Sequence, residues 1–258
     1  MAKIRNRFLL PIVGAMRGGK TFWAQTMATD YANSSGCVLV YNVGKDEDFP
    51  DGEYELIEAL TFNEHVSNFY AEKSARQTYA LDRKVEYFWY NGEAYHFKMF
   101  TSMFWGKKVK MRRIANRIEE TAFSKAVYEY LSCVLVVLDD SRVTFKYGLN
   151  DGWVQLFSRI NHAGGRCNLP SIRSAGVDVI VVSHNIDHIN EDVWDYATNL
   201  VLFNSNMKPN YKKFDSAEMI PVLEDARERL KDSPLYTALQ IDLQGDTIGE
   251  INDVTIKI

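Results

Sequence analysis

Short apolar runs recur along the chain and have the length of buried β-strands. They are separated by glycine-containing loops or by stretches with helical spacing, which is typical of parallel strands covered on both faces. The pattern predicts five strands, at about Phe8–Val13, Val38–Asn42, Val134–Asp139, Val177–Ser183 and Leu200–Phe203. It predicts helices at Lys20–Tyr31, Gly152–Asn161 and Glu191–Tyr196. This order predicts an α/β fold with a mainly parallel central sheet and helices on both faces.

One segment that departs from the alternation is an insertion at about 50–131, between the second and third predicted strands. It is far too long for a simple connection. Two aromatic-rich runs flank Asn91-Gly92 within it, and Asn-Gly between such runs is the strongest short-range signal of a β-hairpin. The insertion is therefore predicted to hold an aromatic hairpin, followed by a helix at about Arg112–Tyr130.

The other departure is a C-terminal extension at about 207–258. A helix is predicted near Ser216–Lys231, followed by strands at Tyr236–Leu243 and Ile248–Ile258 around a Gly245-Asp246 turn. The extension thus predicts a helix plus an antiparallel hairpin added to the core sheet. We interpret the 258 residues as a single domain that carries the insertion and the extension.

Composition limits the classes of protein that the chain can represent. Hydrophobic residues make up 46% of the chain, the net charge is −4 and the pI is about 5.8, so a nucleic-acid contact would require a local basic patch. No segment predicts a transmembrane helix, because the apolar stretch near the N-terminus is too short. Three cysteines without pairing or metal-ligand spacing, Cys37, Cys133 and Cys167, favour a reducing, cytoplasmic compartment.

The first candidate site follows the first predicted strand and matches the P-loop pattern G-x-x-x-x-G-K-[ST]. Its glycines allow backbone amides to surround phosphate oxygens, and the following helix directs its positive end at the same anion. We expect Lys20 to reach the β- and γ-phosphates of ATP, and the Thr21 hydroxyl to bind Mg²⁺. The predicted nucleotide contacts are Gly14, Ala15, Met16, Arg17, Gly18, Gly19, Lys20, Thr21 and Phe22.

Two adjacent carboxylates, Asp139 and Asp140, end the third predicted strand. A P-loop enzyme requires a carboxylate there to hold Mg²⁺, usually through its water shell. Asp139 is the predicted metal-side residue. Asp140 occupies the position at which ATPases of the additional-strand class usually carry a water-polarising glutamate, and its side chain is one methylene shorter. The alternative is a strand that ends in a polar turn.

The run from Arg173 to His184 resembles the arginine, glycine, apolar strand and Thr-Gln arrangement of the FtsK/HerA superfamily of DNA-pumping ATPases. The resemblance implies that Arg173 serves a neighbouring subunit's site as an arginine finger and that His184 senses the γ-phosphate. Ser183 and His184 replace the usual Thr and Gln. Arg159 and Arg166 are rival candidates for the finger, and a surface cation and a turn residue remain the alternative interpretations of Arg173 and His184.

Small size and the lack of a predicted membrane segment narrow the resemblance to the genome-packaging ATPases of tailless viruses with an internal membrane. It covers about Ile4–Asn206 through three short motifs. It implies a P-loop NTPase of the additional-strand type that uses ATP and Mg²⁺ and works as a homo-oligomeric ring, a hexamer or a pentamer. The implied partners are a viral genome, with DNA expected, and a capsid-vertex or membrane protein. The implied location is the host cytoplasm or the virion.

A cationic run at about Lys107–Arg117 follows the aromatic-rich part of the insertion. Cations neutralise phosphates and aromatic faces stack on unpaired bases, so the run is a candidate nucleic-acid contact. The alternative is the solvated start of a helix.

The function that we predict is ATP-driven translocation of nucleic acid, in a viral genome-packaging motor. The alternatives are an assembly or secretion ATPase of the filamentous-phage type, a small-molecule P-loop kinase and a nucleotide-binding regulator without turnover. Against a kinase, no arginine-rich lid follows the third predicted strand.

Overall fold

The structure is a computed structural model, and it describes the chain in separate ranges. These are residues 7–33, 37–42, 55–57, 81–82, 87–90, 93–96, 108–111, 134–139, 141, 145, 148–149, 151–160, 176–205, 218–234 and 236–254. Asp140, Arg166 and Arg173 lie outside these ranges, as does the helix predicted at about 112–130.

The described elements alternate between strands and helices in the core. The strands are β1 (Leu9–Val13), β2 (Cys37–Asn42), β3 (Glu55–Ile57), β4 (Leu81–Asp82), β5 (Tyr87–Tyr90), β6 (Glu93–His96), β7 (Lys108–Met111), β8 (Val134–Asp139), β9 (Val177–Ser183), β10 (Asn199–Phe203), β11 (Ala238–Asp242) and β12 (Ile251–Val254). The helices are α1 (Lys20–Asn33), α2 (Asp151–Ser158), α3 (Glu191–Trp194) and α4 (Met219–Lys231), with a 3-10 turn at Ile186–His188.

In the described ranges, the main sheet has nine strands in the order β12-β11-β10-β1-β9-β8-β2-β7-β3. The strands from β10 to β3 run parallel, whereas β11 is antiparallel to β10, and β12 is antiparallel to β11. The five strands predicted from the apolar runs form the contiguous centre of this sheet. Strand β9 lies between the P-loop strand β1 and the carboxylate-bearing strand β8, so the predicted additional-strand fold class is confirmed.

The register of the parallel strands brings their carboxyl ends to one edge of the sheet. Val13 at the end of β1 is paired with Ser183 at the end of β9 and with Leu202 of β10. Leu138 of β8 is paired with Val181 of β9. The segments that follow β1, β8, β9 and β10 therefore begin at the same edge, where ligands bind in open α/β sheets.

The insertion contributes strands to two sheets. The predicted hairpin is confirmed, because β5 and β6 are antiparallel, with Tyr90 paired with Glu93. The prediction missed β3 and β7, which extend the main sheet beyond β2. The interpretation of the cationic run as the start of a helix is wrong for Lys108–Met111, since β7 pairs with β2 on one side and with β3 on the other.

The C-terminal extension forms the predicted helix and hairpin, as α4 and the β11–β12 pair. Strand β11 pairs with β10, with Phe203 opposite Ala238 and Asn199 opposite Asp242. The residues just before β11 therefore lie at the same edge as the end of β10, and the turn after β11 lies at the opposite edge.

Both faces of the central strands are buried. One face, which includes Leu10, Ile12 and Val201, forms a core with Ala24 and Ala28 of α1. The alternating residues of the same strands, such as Leu9 and Leu200, are also fully buried, which confirms that both faces are covered. In the parts of the chain that the structure describes, no helix is long and apolar enough to cross a membrane.

A buried charge lies inside β9. Asp178 is fully buried, and its carboxylate accepts hydrogen bonds from Arg7 Nη1 at 2.9 Å, Tyr31 Oη at 3.0 Å and Phe8 N at 3.1 Å. Arg7 is itself only 8% exposed. These contacts join β9 to the residues that precede β1 and to the last turns of α1. The only sequence signal for this ion pair is a single carboxylate in an otherwise apolar strand.

We expect Asp178→Asn to lower the free energy of unfolding by about 3–5 kcal/mol, because losing one partner of a buried ion pair leaves the other charge uncompensated. Equilibrium denaturation in urea measures this loss. The matched control is Asp225→Asn, which breaks an exposed pair with Arg229 at 2.7 Å and should cost no more than about 0.5 kcal/mol. Equal, small losses in the two variants would contradict the role assigned to Asp178.

Candidate functional site

The P-loop occupies residues 14–19, between the end of β1 and the start of α1. Two backbone hydrogen bonds hold its beginning: Gly14 N donates to Ser183 O at 3.3 Å, and Ala15 N donates to Asn204 O at 3.0 Å. The loop therefore starts between the ends of β9 and β10. Farther along, Gly18 N donates to Ala15 O at 3.2 Å and closes a tight turn.

Glycine is required at two positions of this loop. A Cβ atom added at Gly14 would lie 2.5 Å from Phe203 Cβ, so a side chain there would force the loop away from β10. Gly19 has φ +97°, and a Cβ atom added there would lie 2.8 Å from Tyr236 Cδ1. Arg17 also lies in the left-handed region, with φ 62°. The packing and the backbone conformation of the loop thus explain why both glycines of the sequence motif are required.

Lys20 begins α1 and turns back into the loop. It is only 4% exposed, and its Nζ donates a hydrogen bond to Ala15 O at 2.6 Å. The first amides of a helix have no acceptor within the helix, and the helix dipole adds partial positive charge at the same end. The loop, the ammonium group and the helix start therefore converge on one point that suits an anion.

The remaining predicted nucleotide contacts differ in exposure. Ala15, Gly18, Gly19 and Thr21 are half-buried, whereas Met16 and Arg17 are exposed. Phe22 is 46% exposed on the first turn of α1. These residues fit a phosphate chain, because Gly19 provides the backbone conformation that the loop needs and Lys20 provides a charge held inside the loop.

Asp139 ends β8 and is 7% exposed. Strand β9 separates β8 from β1, and the register places Asp139 at the same edge as the P-loop. A carboxylate there, together with the Thr21 hydroxyl, supplies the hard oxygen ligands that Mg²⁺ prefers. Within the described ranges, no group of three or more His, Cys, Asp or Glu side chains could hold a metal ion.

Ser141 lies just beyond this strand end and is fully buried. Its hydroxyl has no hydrogen-bond partner in the part of the chain that the structure describes. A serine after two aspartates carries no distinctive motif, so Ser141 could not be identified from the sequence. Asp140 lies outside the described residues, so its role stays a prediction from the sequence.

His184 follows β9 and is half-buried. The pairing of Ser183 with Val13 places His184 beside the first residue of the P-loop, between β1, which leads into that loop, and β8, which ends at Asp139. Ser183 Oγ donates to Asn185 O at 2.9 Å, and Asn190 caps α3 farther along by accepting from Asp192 N. A γ-phosphate sensor belongs at such a strand end, so the position of His184 agrees with the predicted role without testing it.

The structure brings Lys20, Thr21, Asp139 and His184 to one edge of the sheet. Of the three candidate fingers, only Arg159 is described; it is exposed, just after α2. Neither Tyr236 nor Phe203 was predicted to belong to the site. Tyr236 was predicted only as the start of a strand, and no motif marks it.

A scan against models of protein families found no match, and a search of curated proteins found no significant one. Solved structures do match the fold. The genome-packaging NTPase B204 from Sulfolobus turreted icosahedral virus 2, in complex with AMPPCP, has a TM-score of 0.60 at 10% identity, over 97% of this chain and 99% of B204. Its complex with AMP has a TM-score of 0.61 at 13% identity, over 98% of this chain and all of B204, a coverage of 100%.

A second match is VirB4 of Thermoanaerobacter pseudethanolicus, with a TM-score of 0.50 at 11% identity, over 100% of this chain and 91% of VirB4. These identities are low, so the likeness concerns the fold. The resemblance stated from the sequence motifs is thereby confirmed in the fold: this chain folds as a P-loop NTPase similar to the packaging NTPase B204.

Proposed function

We propose that this chain is an ATPase that converts hydrolysis into translocation of nucleic acid, as the packaging motor of a viral genome. The observation that carries the proposal is the P-loop geometry: Lys20 is held inside a glycine-constrained loop, and Asp139 lies at the same edge of the sheet. The fold likeness to B204, a genome-packaging NTPase solved with nucleotide analogues, supports it.

In this proposal the amides of Gly19, Lys20 and Thr21 bind the β- and γ-phosphates of ATP, and the Lys20 ammonium neutralises their charge. The Thr21 hydroxyl and Asp139 hold Mg²⁺, which supplies charge stabilisation for the phosphoryl transfer. Asp140 orients and polarises the attacking water. His184 contacts the γ-phosphate and responds to its loss.

The finger role assigned to Arg173 requires a neighbouring subunit, because an arginine finger acts on the nucleotide of the adjoining protomer. We therefore propose a homo-oligomeric ring of five or six copies. The cargo is the viral genome as DNA, as for the B204 of Sulfolobus turreted icosahedral virus, a DNA-packaging ATPase. A capsid-vertex or membrane protein would anchor the ring. The proposed location is the host cytoplasm or the virion.

We expect Lys20→Ala to lower DNA-stimulated ATP turnover on the order of 10²-fold or more, because a charge aimed at the developing phosphate charge is lost. Steady-state phosphate release, with and without DNA, measures the effect. Lys231→Ala removes an exposed lysine of α4, paired with Glu228 at 3.4 Å, and should retain wild-type turnover. Turnover in Lys20→Ala equal to wild type would contradict the proposed site, and phosphate transfer to a small acceptor without DNA stimulation would favour the kinase alternative.

We expect Asp139 and Asp140 to have different roles in the site. Asp139→Asn should weaken Mg²⁺-dependent binding of ATP, whereas Asp140→Asn should bind ATP normally and turn over more slowly. Titration of ATP at several Mg²⁺ concentrations, followed by single-turnover hydrolysis, separates the two effects. Asp253→Asn, at an exposed position of β12, is the matched control. Wild-type single-turnover rates in Asp140→Asn would rule out Asp140 as the water-polarising group.

We expect Arg173→Ala to bind ATP and lose on the order of 10³-fold in turnover, the contribution of arginine fingers in related phosphoryl transfers. Mixing Arg173→Ala with Lys20→Ala subunits should restore part of the activity, because a mixed ring pairs an intact P-loop with an intact finger. Arg159→Ala and Arg166→Ala in the same assay identify the finger if it is not Arg173. If no arginine variant complements Lys20→Ala, the shared site is wrong.

A further inference from the structure

Tyr236 has an unusual conformation beside the P-loop. It stands between α4 and β11 with φ 72°, in the left-handed region that bulky residues rarely adopt. Its side chain is nevertheless 42% exposed. A strained residue persists only when its surroundings hold it in place, and such residues cluster at ligand sites.

The ring of Tyr236 lies against the phosphate-binding loop. A Cβ atom added at Gly19 would be 2.8 Å from Tyr236 Cδ1 and 3.7 Å from Tyr236 Cβ. The same added atom would be 3.5 Å from Cε1 of Phe203, which is buried. Both rings thus lie on the side of Gly19 where its Cβ atom would be, and of the two only the Tyr236 ring offers a surface to a ligand.

The sheet order fixes the side of the loop on which Tyr236 stands. Strand β1 has β9 and then β8, with Asp139, on one side, and β10 and then β11 on the other. Because Phe203 at the end of β10 pairs with Ala238 at the start of β11, Tyr236 stands at the P-loop edge on the side away from Asp139.

A nucleotide in this site has a defined direction. Its γ-phosphate must lie toward β9 and β8, where His184 and Asp139 stand, so its ribose and base extend toward β10 and β11. We propose that the Tyr236 ring is the base-stacking surface of the nucleotide site. This inference rests on the proposed function, and it assigns to the C-terminal extension the recognition of the nucleobase.

The chemistry of the surface agrees with this assignment. An aromatic face binds the flat face of any base through stacking, with little dependence on the base's hydrogen-bonding edge. Phe22, which is 46% exposed on the first turn of α1, is the other exposed aromatic ring next to the loop among the described residues. The site should therefore select a nucleoside triphosphate over inorganic triphosphate, and it should distinguish ATP from GTP only weakly.

The test compares the binding of Mg-ATP and of Mg-tripolyphosphate to the same proteins by calorimetry. Tyr236→Gly removes the ring and keeps the left-handed backbone, because glycine adopts positive φ without strain. Tyr236→Asn is a second variant without the ring, since asparagine also tolerates this conformation, and Tyr236→Phe retains the ring. Ile248→Ala is the matched control: it removes an exposed apolar side chain of the same extension, in the turn at the opposite edge of the sheet.

We expect Tyr236→Gly and Tyr236→Asn to bind ATP roughly 5- to 150-fold more weakly, the usual loss for removal of one stacking ring, and to bind tripolyphosphate as the wild type does. Tyr236→Phe and Ile248→Ala should match the wild type with both ligands. An equal loss for ATP and tripolyphosphate would show that Tyr236 only shapes the loop, and no loss for either would place the base elsewhere; both results overturn the inference. Failure of the proposed function is a different result, in which the wild type binds neither ligand.

Discussion

Two backbone hydrogen bonds set the position of everything else in the site, because they hold the start of the P-loop between two strand ends. Gly14 N donates to Ser183 O of β9, and Ala15 N donates to Asn204 O beyond β10. These bonds require the loop backbone to lie almost in contact with Phe203, and that contact leaves no room for a side chain at residue 14. The glycine of the sequence motif is thus a consequence of close packing between the loop and the neighbouring strand.

The register of β1 against β9 decides whether those bonds can form. Phe8 N donates to the Asp178 carboxylate and Val179 N donates to Phe8 O, at the amino ends of the same two strands. A slip of one residue would turn the buried carboxylate away from Arg7 and Tyr31, leaving a charge without its partners. The ion pair at one end of the strands therefore favours the pairing of Val13 with Ser183 at the other end, on which the loop depends.

The sequence predicted the centre of the sheet well, because β1, β2, β8, β9 and β10 are mainly apolar runs of strand length. Strands β3 and β7 were missed because they are short and carry charged residues, so only their pairing in the folded chain makes them strands. The P-loop, Asp139 and His184 were predicted as site residues because motifs mark them. Asp140 and Arg173 remain predictions from the resemblance, since the described residues do not include them.

Tyr236 could not have been placed in the site from its sequence. Its position depends on the antiparallel pairing of β11 with β10, which joins residues far apart in the chain, and its positive φ contradicts the ordinary preference of tyrosine. The same pairing explains why the site has two unlike halves. Charged and polar groups lie on the side of β9 and β8, where the phosphates would react, and aromatic rings lie on the side of β10 and β11. A ligand that is charged at one end and flat and apolar at the other fits this division in only one direction, and a nucleoside triphosphate is such a ligand.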